Sequence, residues 1–142
     1  MTGEQQTDVG AEEAKRIGRL WQQGPRILIL AEDAVLGESL LEEFQNKGCA
    51  VALATRGRDG IRLLRSGLVD LIVSEMALPD LPGMDLLQEV RSLKRRPKVI
   101  LTTRHHSDYL AARALQNGAS AVLCKPIQIG QMLALVAHVL RN

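Results

Sequence analysis

Residues 26–33 read Arg-Ile-Leu-Ile-Leu-Ala-Glu-Asp. Four branched apolar residues run on through one alanine into an acidic pair. A half-exposed strand would alternate apolar and polar residues, so an unbroken run this short suits a strand covered on both faces. The same design returns further along. Leu71-Ile72-Val73 leads into Ser74-Glu75, Val99-Ile100-Leu101 into Thr102-Thr103, and Ala121-Val122-Leu123-Cys124 into Lys125-Pro126. Cys49–Ala54 reads as one more strand. The segments between them have helical spacing. Asp33 is placed to cap a helix reaching Asn46, with Leu36, Leu40, Leu41 and Phe44 inward and Gly48 as its stop. Helices are predicted over Asp59–Arg65, ending near Gly67, and over Met84–Leu93, after the loop marked by Pro79, Pro82 and Gly83. Ser107 or Asp108 caps another that runs to Asn117 and ends at Gly118, and Ile129–Leu140 forms the last.

Five β-α units in strict alternation predict an α/β domain, a doubly wound parallel sheet with helices on both faces. Right-handed crossovers leave few topologies, and the flavodoxin-like strand order 2-1-3-4-5 fits. The 142 residues make one domain's worth, with 46% hydrophobic and 24% charged residues, which excludes wholesale disorder. A net charge of +2 is too small to suggest nucleic-acid binding. No apolar stretch approaches a membrane span, and the polar start MTGEQQTDVG is no secretory signal. These features predict a cytoplasmic chain with reduced cysteines. Cys49 and Cys124 fall on strands 2 and 5, with strands 1, 3 and 4 between them. No disulfide is expected, and both read as small core residues.

In such a sheet the site lies beyond the carboxyl ends of the strands, at the switch between strands 1 and 3. Glu32 and Asp33 follow strand 1, Glu75 ends strand 3, Thr102 closes strand 4, and Lys125 closes strand 5. Carboxylates facing a lysine and a hydroxyl suit Mg²⁺ and a phosphoryl group.

This ordered set resembles the receiver domain of two-component response regulators. The residues that carry it are ILILAED at 27–33, DLIVSEMALPDLPGMDLL at 70–87, VILTT at 99–103, NGAS at 117–120 and LCKP at 123–126. The resemblance covers residues 26–141, about four-fifths of the chain. It implies a signalling domain in which an Asp takes a phosphoryl group from a phosphohistidine. Mg²⁺ neutralises the charge that builds on the phosphoryl oxygens, and a Thr or Ser and a Lys bind them. It also implies a cis Lys125-Pro126 bond and an output face made by the fourth helix, fifth strand and fifth helix.

The departures from that pattern are as informative. The phosphoacceptor position, four before Pro79, is Glu75. The two positions that carry the family's acidic pair hold Ala31 and Glu32, with Asp33 next. The position usually aromatic in strand 5 is Val122, which cannot swing between buried and exposed positions. Thr102 and Lys125 are kept. Phosphoryl transfer depends on positioning, and an error of ~1 Å costs about a hundredfold. The extra methylene of Glu75 moves its carboxylate by about that much. Glu32, Glu75 and Lys125 sum to −1, where three acids and a lysine give −2, so Mg²⁺ affinity falls, with Glu32 and Glu75 as the remaining metal ligands. The expectation is an atypical, non-enzymatic receiver acting by protein–protein contact, independent of aspartyl phosphorylation: Glu75 extends toward Thr102 and Lys125 and pairs with the lysine. A decayed, passive scaffold fits the same residues. The rivals are a working phosphorelay receiver and a nucleotide binder, the latter short of a Gly-rich loop after strand 1.

Smaller features complete the reading. Residues 1–25 form an N-terminal extension ahead of the 26–142 domain. Met1–Gly10 is predicted to be disordered and Ala11–Gln23 to form a short helix with Ala14, Ile17 and Trp21 on one stripe, Trp21 lying outside the core. His105-His106 reads as a solvated loop, and His138 as exposed. Arg56, Arg58, Arg95 and Arg96 read as solvated charges. The apolar arc of the last helix is broad enough to leave Leu135 and Val139 exposed for a protein partner or a second copy. The chain ends at Asn142, one helix after Lys125, so a stand-alone domain is expected.

Overall fold

The computed structural model describes residues 11–12, 14–16 and 18–141. The central sheet has five parallel strands: β1 (Arg26–Leu30), β2 (Ala50–Ala54), β3 (Leu71–Glu75), β4 (Lys98–Thr103) and β5 (Ala121–Cys124). Their order is β2-β1-β3-β4-β5, the predicted flavodoxin-like order. The helices are α1 (Ala34–Asn46), α2 (Gly57–Ser66), α3 (Gly83–Arg91), α4 (Asp108–Gln116) and α5 (Ile129–Arg141). A two-residue antiparallel pair, Ala77–Leu78 with Leu81–Pro82, shapes the loop between β3 and α3.

Alternation along the strands sorts the core into two layers. Ile27 and Ile29 of β1, with Leu71 and Val73 of β3, face α1 and α5, where they meet Leu40, Phe44, Met132 and Val136. Leu28, Leu30, Ile72 and Leu101 face α2, α3 and α4, meeting Leu64, Leu86, Leu87 and Ala114. Each inner strand is thus apolar on both sides, which is why it reads as an unbroken run. Gly48 (φ +98°) and Gly118 (φ +107°) end α1 and α4 in the left-handed conformation that glycine tolerates, as predicted. The Lys125-Pro126 bond is cis.

Four expectations need correction. Trp21 is 8% exposed and joins the α1/α5 core layer, because the helical residues 18–22 lie against it. Leu20 packs against that layer too, and in it Val139 is buried at 6% exposure and Leu135 half-buried. Exposed apolar side chains lie elsewhere, three of them on α4, Tyr109 (69%), Leu110 (41%) and Leu115 (49%), and the others at Val35, Leu63 and Leu68. Cys124 is exposed at the end of the edge strand β5, while Cys49, just ahead of β2 at the other edge, is buried in the α1/α5 core layer. Finally, α2 begins at Gly57, two residues early. Asp80 reaches across from the β3–α3 loop and accepts the amides of Gly57 (2.8 Å) and Arg58 (3.0 Å), capping the helix from outside its own segment. Met1–Gly10, Ile17 and Asn142 lie outside the described residues.

Candidate functional site

The sequence-predicted residues meet at the carboxyl end of the sheet. Parallel pairing sets Glu75 of β3 beside Thr102 of β4. The backbone of Lys125 is tied to β4 by its N–H, which donates to the Thr103 carbonyl at 2.7 Å. Lys125 Nζ then donates to Glu75 Oε2 at 3.2 Å and stands 3.7 Å from Asp33 Oδ2. The other Glu75 oxygen, Oε1, accepts the Asp33 backbone N–H at 2.9 Å. The lysine and glutamate side chains are 12% and 15% exposed, so the pair is shielded from most of the solvent. The expected Glu75–Lys125 contact is therefore present, but Glu75 does not bond Thr102. Thr102 Oγ1 is buried and has no hydrogen-bond partner among the described residues.

Asp33 has a second task, for its Oδ1 accepts the Leu36 N–H at 3.2 Å and caps α1. That bond, with the positive charge of Lys125 adding to it, holds the Asp33 carboxyl below its ordinary value of 3.8. Ala31 is buried in the α1/α5 layer and offers no oxygen. Glu32 is exposed and lines the rim of a cavity of about 330 Å³ that Asp33, Glu75, Thr102 and Lys125 also line. Val122 is half-buried against the α2/α3/α4 layer. His105 and His106 are exposed, and His106 lies 3.5 Å from Asp108.

Mg²⁺ needs a near-octahedral set of oxygens at about 2.0–2.1 Å. Here Glu75 Oε2 and Asp33 Oδ2 face an ammonium group, and their other oxygens accept backbone amides. Among the described residues, no three His, Cys, Asp or Glu side chains come together to hold a metal. As arranged, the side chains do not fit the ion.

Two contributors escaped the sequence reading. Asp80 fixes the start of α2 and the loop after Glu75, and the amides of Arg58 and Gly57 lower its pKa. Its only local signal is the Pro-Asp-Leu-Pro turn. Arg104 lines the same cavity beyond Thr103 and adds positive charge near Asp33.

A flavodoxin-like sheet with acids after β1 and β3, a hydroxyl at β4 and a lysine at β5 defines a class of α/β domain whose site lies at the strand ends. Comparison with known proteins gives the family. Residues 27–137 match the response regulator receiver domain, and the chain belongs to that family. It is similar to the transcriptional regulatory protein QseB of Haemophilus influenzae, 34% identical over 82% of this chain and 53% of that protein. It is also similar to the transcriptional regulatory protein AfsQ1 of Streptomyces coelicolor, 32% identical over 83% and 52%. The chain thus spans about half the length of the curated relatives it matches. Among solved structures, the signal receiver domain of a putative Luxo repressor protein from Vibrio parahaemolyticus superposes with a TM-score of 0.78. It is 28% identical over 83% of this chain and 91% of that one. The non-phosphorylated HemR receiver domain from Leptospira biflexa gives 0.77, at 26% identity over 83% and 95%. No helix among the described residues is long and apolar enough to cross a membrane.

Proposed function

We propose that this chain is an atypical receiver, a cytoplasmic, non-enzymatic signalling domain that works by protein–protein contact without aspartyl phosphorylation. The observation that carries this reading is the 3.2 Å contact between Lys125 Nζ and Glu75 Oε2. A phosphorylatable site needs its acceptor carboxylate free to attack, a cation beside it, and a lysine free to take phosphoryl oxygens. In this chain the acceptor position holds Glu75, whose two oxygens are engaged, and the lysine is already occupied. Ala31 supplies no ligand oxygen, and Glu32 is turned to solvent. The ion pair thus stands where a phosphoryl group and its lysine would meet, and it holds the ends of β3 and β5 together without one. Output passes through the α4-β5-α5 face to a protein partner or a second copy, with Tyr109, Leu110 and Leu115 as its apolar contacts. Neither nucleic acid nor a membrane is a partner in this reading.

A second reading, a phosphorelay receiver that binds Mg²⁺, rests on one observation. The buried Thr102 hydroxyl lacks a partner, and a phosphoryl oxygen would supply one. An amide NMR titration with Mg²⁺ and beryllofluoride separates the two. The proposal expects no shift at Glu75, Thr102 or Lys125. A saturable shift there overturns it in favour of the second reading.

A further inference from the structure

The opposite end of the sheet carries another cleft. The segment entering β1, the turn from α2 into β3 and the turn from α3 into β4 wall in about 440 Å³. That volume lies within the ~300–1,000 Å³ of small-ligand pockets. The cleft is bounded on three sides, so it suits a small molecule better than an extended segment of a macromolecule.

Its lining is of two kinds. Leu64 and Pro97 are buried in its floor, and Leu68 stands over it at 52% exposure, an apolar side chain that the fold leaves uncovered. Around this apolar part Arg26, Arg65, Lys94 and Arg95 bring four positive charges against one carboxylate, Asp70. Two of these groups are already engaged. Arg65 pairs with Glu89 at 3.1 Å, and Asp70 accepts the Arg26 backbone N–H at 2.8 Å. The side chains of Arg26, Lys94 and Arg95 form no ion pair among the described residues. Arg26, Lys94 and Arg95 (+3) against Asp70 (−1) leave the cleft a net charge of +2, as much as the formal net charge of the whole chain. Such a cleft focuses its field on anions.

We propose that this cleft binds a nucleoside polyphosphate. Its phosphates meet Arg26, Lys94 and Arg95 through charge-assisted hydrogen bonds, and its base lies against Leu68 and Pro97. No aromatic side chain and no buried polar group lines the apolar part, so the cleft discriminates little between bases. The proposal is independent of the Glu75–Lys125 site, which lies beyond the other end of the strands.

The test is an amide NMR titration of the full chain with ATP in Mg²⁺-free buffer, run beside tripolyphosphate and adenosine. ATP is expected to give saturable shifts at Leu68, Val69 and Leu93 to Arg96, with affinity that falls as salt rises. Tripolyphosphate is expected to bind the same residues more weakly, and adenosine weaker still. Reversing both exposed cations with Lys94→Glu and Arg95→Glu is expected to lower ATP affinity by about tenfold or more, as lost charge-assisted contacts do. Three results would overturn the proposal: no shift at these amides with millimolar ATP, equal affinity for ATP and tripolyphosphate, or unchanged binding by the double variant with its native spectrum intact.

Discussion

Replacing Lys125 by Met keeps most of the side-chain volume and removes the ammonium group from between Glu75 and Asp33. Glu75, 15% exposed, then keeps only the Asp33 N–H at 2.9 Å. Stripping one partner from a fully buried ion pair costs about 3–5 kcal/mol, and a hydrogen bond to a charged group is worth about 1.5–3. Residual exposure of Glu75, and the 30% exposure of Asp33, place the loss near the lower of these ranges, about 2 kcal/mol. For a domain of this size that lowers Tm by about 6–8 °C. It lowers the urea midpoint by about 1 M. Glu75→Gln leaves the lysine near Asp33 and costs less, about 1 kcal/mol. The double variant is then less damaged than the sum of the singles, with a coupling of about 1–2 kcal/mol. Urea denaturation of the four proteins measures it. A Lys125→Met variant within about 0.5 kcal/mol of the parent, or strict additivity, would refute the reasoning.

Three further outcomes follow from the same geometry. The Asp33 carboxyl is lowered below 3.8 chiefly by the Leu36 amide, so the folded state holds fewer protons there than the unfolded one. Its stabilisation is present above that value and lost as pH falls through the folded pKa, and Asp33→Asn, which can still cap α1, flattens the acid limb of a denaturation-against-pH curve. Asp80→Ala frees the Gly57 and Arg58 amides and destabilises the domain, with hydrogen exchange rising first at the start of α2. Cys124 is exposed and reacts with a thiol reagent in the native state, whereas Cys49, buried and with its thiol pushed up to about 11, reacts only on unfolding; mass spectrometry of the labelled protein reads the order.

The fold was legible because a parallel sheet buried on both faces leaves unbroken apolar runs, and Arg26–Leu30, Leu71–Glu75 and Lys98–Thr103 are such runs. The strand-end rule brings Glu75, Thr102 and Lys125 together from the sequence, and the reach of a glutamate suggests its partner. What local pattern did not carry was contact between distant segments. Trp21 and Leu20 join the core layer that also holds Val139 only in the folded chain. Asp80 caps a helix that begins 23 residues before it. Nor do the residues around the two cysteines tell apart the exposed Cys124 from the buried Cys49, both of which lie at edge strands. Nothing in the sequence distinguishes a bonded Thr102 hydroxyl from the unpartnered one found here.

The central claim is that Glu75 accepts no phosphoryl group while paired with Lys125. Its most direct test is the intact mass of the chain after incubation with Mg²⁺ and a phosphodonor, acetyl phosphate or a phosphorylated histidine kinase. The account predicts an unchanged mass. A phosphoryl adduct mapped to Glu75 would contradict it.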